Sequence, residues 1–138
     1  MICCFNVSSI DLRSIFSSRI NRINISSIYG LFAPNFDIYC CNEELFNNAS
    51  YGASKSAVDQ MTKYYAKLYG PDIRVNSIAP GGILQGHSEN FTYKYSKDVA
   101  LKRMMYPEEI VNSILFLLSD LSSGITGQII KVDGGYKL

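Results

Sequence analysis

The 138-residue sequence has no tryptophan, a single histidine, no glycine before Gly30, and no apolar run approaching the thickness of a bilayer. Each shortage removes a class of function. The longest strongly apolar stretch, "ILFLL" at 114–118, falls far short of the roughly 20 residues a membrane-spanning helix needs. The 13 basic and 12 acidic residues are spread along the chain and give a net charge of +1. No basic stripe for nucleic acid and no acidic tail results, so neither nucleic acid nor membrane is an expected partner. His87 has no acid and nucleophile spaced around it and reads as a loop residue. The four cysteines stand as two adjacent pairs, Cys3-Cys4 and Cys40-Cys41. That spacing serves neither C-x-x-C redox chemistry nor a zinc site, and reduced thiols are expected. The opening "MICCFNVSSIDLR" lacks a basic segment followed by a long apolar one. No secretory signal is visible, and a cytoplasmic location is expected.

What is present is a globular composition, 47% apolar and 18% charged, at a length that fits one domain with a core of its own. Residues 22–28, "RINISSI", form a short β-branched run closed by Gly30 and read as a buried strand. Residues 31–50 carry Pro34, several Asn and no period, and read as a long loop of the length that is usually functional or mobile. Ser50 is placed to cap a helix whose buried face is Ala53, Ala57, Met61, Tyr64, Tyr65 and Leu68, stopped by Gly70-Pro71. A strand over Ile73–Ile78 runs into the Pro80-Gly81-Gly82 turn. From Ile83 to Tyr106 the pattern is mixed, with room for one short helix, and reads as a flap rather than core. Pro107, Glu108 and Glu109 suit a helix start, with Ile110, Val111, Ile114, Leu115, Leu117 and Leu118 as its buried side. A strand over Gln128–Val132 and the Gly134-Gly135 turn finish the chain. Strand, helix, strand, helix, strand predicts an α/β fold, a parallel sheet covered by helices.

One pair stands out chemically. Tyr51 and Lys55 lie four apart in "YGASK", but Tyr93 and Lys97 share that spacing, so the spacing alone says little. Context says more. "INISSIYG", "YGASK", "IRVNSIAPGGI" and "ITGQIIKVDGG", in that order, resemble the C-terminal half of the short-chain dehydrogenase/reductase family over about residues 20–138. The long loop after "SSIYG" is also similar to members that modify bacterial surface sugars or flagellin glycans, a weaker likeness. The resemblance implies a partial Rossmann-like, doubly wound parallel sheet. Its last three strands and their helices would be present, and its N-terminal dinucleotide-binding half missing. Residues 1–138 would then be a single truncated NAD(P)-binding domain, poorly matched over 1–20, with 84–106 shaping the substrate site.

The resemblance also assigns roles. Tyr51 would be the acid/base, and Lys55 would hold the nicotinamide ribose and keep a positive charge by the phenol. Ser27, with Ser26 as the alternative, would hydrogen-bond the reacting oxygen. Pro80, Gly81 and Ile83 would line the nicotinamide pocket. The implied reaction is hydride transfer between NAD or NADP and a small carbonyl or alcohol substrate, a sugar derivative being one candidate. Physical chemistry agrees: an unaided phenol is a poor base at neutral pH, and an ammonium one helical turn away stabilises its phenolate. A neutral hydroxyl can donate to the oxygen in either direction of transfer.

Three departures qualify the likeness. With no glycine before Gly30, the Gly-rich pyrophosphate cradle is missing, so the 138 residues alone are expected to bind no dinucleotide measurably. Asn6 is the one candidate for a fourth catalytic residue, closer to Ser27 than the family places it. Gln85 stands where many members have Thr. The alternative reading is a non-catalytic remnant or pairing module, with an unpaired strand edge able to recruit another chain. Family members often pair through the Tyr-bearing helix and the last strand, so a homo-oligomer is also implied.

Overall fold

The stretch "IRVNSIAP" forms strand β2 (Ile73–Pro80), and every residue from Arg74 to Pro80 is buried. Burial on both faces is what a central parallel strand requires. In the computed structural model, which describes residues 20–39 and 47–138, β1 (Ile20–Ile25) and β3 (Ile129–Val132) flank it in the order β1-β2-β3. Both pairings are parallel; Ile25 lies opposite Ile78 and Pro80 opposite Val132. Asn6 and the pairs Cys3-Cys4 and Cys40-Cys41 lie outside the described residues.

Helix α1 (Ala49–Tyr69) joins β1 to β2, while α2 (Glu89–Lys97) and α3 (Pro107–Leu118) lie between β2 and β3. Successive residues of a strand point to opposite faces. Ser77 Oγ reaches Asp59 Oδ1 of α1 at 3.4 Å, whereas Arg74 Nη2 reaches the Leu117 carbonyl of α3 at 3.1 Å. The two helices therefore cover opposite faces of β2. The expected architecture, a partial Rossmann-like parallel sheet between helices, is the one observed.

Several boundaries differ from expectation, each for a local reason. Strand β1 stops at Ile25 instead of Ile28, because Ser27 caps a 3₁₀ turn, Ile28–Gly30, by accepting from the Tyr29 N–H at 3.2 Å. Serine hydroxyls compete with a sheet ladder in this way. Asn48, not Ser50, caps α1: its side-chain oxygen accepts from the Ser50 N–H at 3.0 Å. Strand β3 begins one residue late, at Ile129, since the Gln128 N–H donates to the Asn76 side chain at 3.0 Å.

The buried face of α1 is the larger correction. Met61, Tyr64 and Leu68 are 49%, 62% and 55% exposed, Ala53 and Ala57 are exposed too, and only Tyr65 of the expected stripe is half-buried. The packed side is instead Asp59, Thr62 and Ala66. Small and polar groups win there because the helix lies close to the sheet and bonds to it. Asn24 Nδ2 donates to Thr62 Oγ1 at 2.8 Å, and Ser77 Oγ donates to Asp59. The 3-4 period was a true helix signal whose apolar side faces out. Helix α3 is likewise narrower in its burial: Ile110 and Leu117 are buried, but Val111 and Leu115 are exposed.

The main apolar core lies on the α3 side, and the segment expected to be a flap supplies much of it. Tyr95, Val99, Met104 and Met105 pack with Ile28, Tyr39, Ile78, Leu117 and Tyr136. The segment's sequence shows no long period because its buried residues come from a helix of nine residues and the turns after it.

Helix α3 starts as its sequence suggests, on Pro107 with two glutamates in the first turn. Glu109 accepts a two-pronged bond from Arg103, at 2.7 and 2.8 Å, and a third from the Tyr106 N–H at 2.8 Å. The Arg103 bonds first, and the Tyr106 bond second, hold its carboxyl down from 4.5 to about 2. A depressed carboxylate stabilises the fold fully above its ordinary pKa and loses that contribution as pH falls through the depressed value. The melting temperature is therefore expected to fall between pH 4.5 and about 2, and Glu109→Gln to flatten that part of a calorimetric pH series. An unchanged slope in the variant would remove this group as the cause.

Candidate active site

The carboxyl ends of neighbouring parallel strands open onto a common crevice, the usual place for ligands in such sheets. Ser27 follows the end of β1, and the Pro80–Ile83 turn follows the end of β2. Against this end lie the first turns of α1, which carry Tyr51 and Lys55.

The Ile28–Gly30 turn and α1 touch through glycine. A Cβ at Gly30 would stand 2.9 Å from the Lys55 carbonyl carbon, and one at Gly52 would stand 2.8 Å from the Tyr29 oxygen. No side chain fits at either contact. Two serines then fasten the contact: Ser26 Oγ donates to the Lys55 carbonyl at 3.2 Å, and Ser56 Oγ donates to the Gly30 carbonyl at 2.6 Å. Ser26 is thus committed to holding the helix. The Ser27 hydroxyl accepts from Tyr29 and keeps its own proton to donate.

Lys55 Nζ donates to the Ile25 carbonyl at 3.0 Å and stands 5.6 Å from the centre of the Tyr51 ring. Ser27 is 8% exposed, whereas Tyr51 is 38% exposed, so the phenol is open to an approaching molecule. Tyr93 and Lys97 show the pair geometry without the setting. Lys97 Nζ lies 4.4 Å from the Tyr93 ring, but Tyr93 is 63% exposed on α2.

Backbone bonds weave the Pro80–Ile83 turn into its surroundings. The Gly81 N–H donates to the Val132 carbonyl at 3.0 Å, the Gly82 carbonyl accepts from the Met105 N–H at 2.8 Å, and the Leu84 N–H donates to the Met105 carbonyl at 2.8 Å. The Gly82 N–H donates to the Tyr95 hydroxyl at 2.6 Å. None of these bonds uses the Ile83 N–H. Gln85 belongs to the exposed loop beyond, where its N–H donates to His87 Nδ1 at 3.3 Å.

Beside the turn runs an aromatic chain that the sequence reading did not single out. The Tyr29 and Tyr39 hydroxyls are 3.2 Å apart, and ring centres are separated by 5.5 Å for Tyr39–Phe91, 6.2 Å for Phe91–Tyr95 and 5.2 Å for Tyr95–Tyr136. Burial pushes Tyr95 up to about 12, and it also raises Tyr29 and Tyr136. These phenols stay neutral at ordinary pH and act as hydrogen-bonding and packing groups. The four-residue spacing of Phe91 and Tyr95, continued by Val99 just past the helix, was the signal that could have found the inner face of α2. Among the described residues no group of His, Cys, Asp and Glu could hold a metal ion, and no helix is long and apolar enough to cross a membrane.

A family model described as enoyl-(acyl carrier protein) reductase matches residues 35–137. The chain belongs to the short-chain dehydrogenase/reductase family. Post-translational flagellin modification protein A of Campylobacter coli is 41% identical over 86% of this chain and 46% of its own length. The 3-oxoacyl-[acyl-carrier-protein] reductase of Thermotoga maritima is 38% identical over 95% of this chain and 51% of its own length. Among solved structures, a short chain dehydrogenase from Leptospira borgpetersenii with bound NAD+ matches with a TM-score of 0.77 and 35% identity, covering 86% of this chain and 44% of that one. The chain thus spans about half the length of the family members it matches, and the weaker likeness to flagellin-modifying members is borne out at the level of similarity.

Proposed function

We propose that this chain carries the proton-transfer and nicotinamide-facing part of an NAD(P)-dependent oxidoreductase acting on a small carbonyl or alcohol. The supporting observation is the glycine-mediated contact that sets the Ser27-capped turn against the Tyr51–Lys55 segment at the carboxyl edge of the sheet. Tyr51 gives a proton to the carbonyl oxygen in reduction and takes it back in oxidation. Ser27 donates a hydrogen bond to the same oxygen, and Lys55 keeps a positive charge by the phenol.

The residues present suit the nicotinamide half of the cofactor: Lys55 offers an ammonium, and the Pro80–Ile83 turn offers backbone that approaches closely through glycine. When bound, the cofactor supplies or accepts the hydride. NAD is the first candidate, because the Leptospira relative was solved with it; NADP is the alternative. A sugar-linked carbonyl is the substrate class suggested by the Campylobacter relative, and an acyl-chain ketone the one suggested by the Thermotoga relative. A cytoplasmic location accords with such a cofactor.

The test is a titration of the 138-residue chain. With no Gly-rich turn before Gly30, NADH fluorescence is expected to show no saturation in the micromolar range. Reduced nicotinamide mononucleotide, in the millimolar range, is expected to shift the amide resonances of Ser27, Lys55 and Ile83 in NMR spectra. Shifts confined elsewhere would refute the assignment.

The exposed stripe of Met61, Tyr64 and Leu68 on α1 favours a second reading, a non-catalytic pairing module or a homo-oligomer. In the module reading the nucleotide shifts nothing, so the same titration separates the two.

A further inference from the structure

Tyr95 is 2% exposed and belongs to α2, on the segment after the Pro80–Ile83 turn, yet its hydroxyl sits inside that turn. It accepts from the Gly82 N–H at 2.6 Å. A Cβ at Gly81 would stand 3.1 Å from the same hydroxyl, and one at Gly82 would stand 2.7 Å from the ring carbon that bears it. The ring is held from behind by Tyr136, stacked at 5.2 Å, and Asp133 lies near enough to act on the phenol electrostatically. The helix itself is tied to the loop that follows Gly30: Asn35 Nδ2 donates to Asp98 Oδ2 at 2.8 Å, and the Tyr39 ring packs on Phe91.

Tyr95 is therefore the point at which the turn, α2 and the loop after Gly30 are joined. A peptide plane has one orientation once its neighbours are fixed. The Gly82 N–H that Tyr95 holds belongs to the Gly81–Gly82 plane, whereas the Gly82 carbonyl that Met105 holds belongs to the next plane, Gly82–Ile83, so the two bonds orient successive planes of the turn.

We propose that Tyr95 is a positioning residue. Its hydroxyl sets the orientation of the Gly81–Gly82 peptide and makes the docking of α2 and the shape of the nicotinamide seat one mechanical unit. The proposal rests on the reading of Pro80–Ile83 as that seat. Tyr95 touches no reacting atom; it acts through the turn.

The experiment compares the 138-residue chain with Tyr95→Phe, which keeps the ring and its stacking and removes one oxygen, and with Tyr93→Phe as an exposed control on the same helix. Amide hydrogen exchange is followed by NMR, and each protein is titrated with reduced nicotinamide mononucleotide. In Tyr95→Phe, exchange at Gly82 is expected to accelerate by about tenfold relative to Ile78, and nucleotide affinity to fall by about fivefold or more. Tyr93→Phe is expected to change neither. Unchanged exchange at Gly82 overturns the proposal, as does faster exchange with unchanged affinity, since the turn would then be held to no purpose at the seat. If the unaltered chain binds no nucleotide while exchange still responds, the nicotinamide reading itself fails, and the positioning role falls with it. Should Tyr95→Phe not fold, the unaltered chain decides: a Gly82 amide that exchanges as fast as the exposed Gln85 amide overturns the proposal.

Discussion

Arg74→Ala is expected to destabilise the fold by about 3–5 kcal/mol, a large share of the margin by which a small domain stays folded. Arg74 is 5% exposed in the middle of the sheet, and its guanidinium donates to the carbonyls of Ile125, Leu117 and Ser119 at 3.0, 3.1 and 3.0 Å. Those carbonyls close the end of α3 and the turn that leads to β3. The planar fork of arginine can serve several acceptors at once, whereas the ammonium of lysine is a point charge on a flexible stem. Removing it takes its charged donor from each carbonyl, leaving Ser122 on Leu117 and Ser119 and Asn76 on Ile125, and also empties the space filled by the aliphatic stem. Arg74→Lys is accordingly expected to recover less than half of the loss, and Arg74→Met to recover packing but not the bonds. Urea denaturation followed by circular dichroism measures each difference. A cost below about 1 kcal/mol for Arg74→Ala, the ordinary size for a surface change, would show that the Ser122 and Asn76 donors suffice for these carbonyls.

Arg74 also marks where sequence reasoning reaches its limit. Within the strand read over Ile73–Ile78 nothing singles it out, because a charge there makes sense only when the carbonyls that meet it are known. The three strands, their parallel pairing and the family were legible, since they follow from β-branched runs, glycine punctuation and motif order. The inward side of α1 was not. Its period is the same whichever face is buried, and the choice fell to Asp59 and Thr62 because the sheet offers them Ser77 and Asn24 across the interface. The same holds at the site. Ser27, Tyr51 and Lys55 could be named from their motifs, while Tyr95 could not, for its importance lies in a bond to Gly82 that joins two segments with no shared pattern. The bond from Ser26 to the Lys55 carbonyl supports the preference for Ser27 that the motif already carried.

Tyr51→Phe is expected to lower kcat by about 10²–10⁴-fold, the range for loss of a positioned general acid or base, while leaving cofactor affinity nearly unchanged. Turnover is to be measured with this chain joined to the N-terminal half of the Campylobacter coli relative, since the chain spans only 46% of that protein. The substitution removes one oxygen from a side chain that is 38% exposed, and the bonds that hold the site do not pass through it. Ser26 still ties the turn to Lys55, Ser56 still ties Gly30 to α1, and Lys55 Nζ keeps the Ile25 carbonyl. A loss of turnover therefore reports the proton and not the fold. The Lys55 ammonium would still face the cofactor ribose, so a fall in cofactor affinity comparable to the fall in kcat would mean that Tyr51 binds rather than transfers a proton. Retained turnover would move the acid/base role to another group altogether. The other hydroxyl of the proposed site is that of Ser27, which is neutral and 8% exposed, and whose oxygen is already engaged by the Tyr29 N–H. A serine so placed can steady a developing charge but is a weaker acid than a phenol, and this is why the larger share of the rate is assigned to Tyr51.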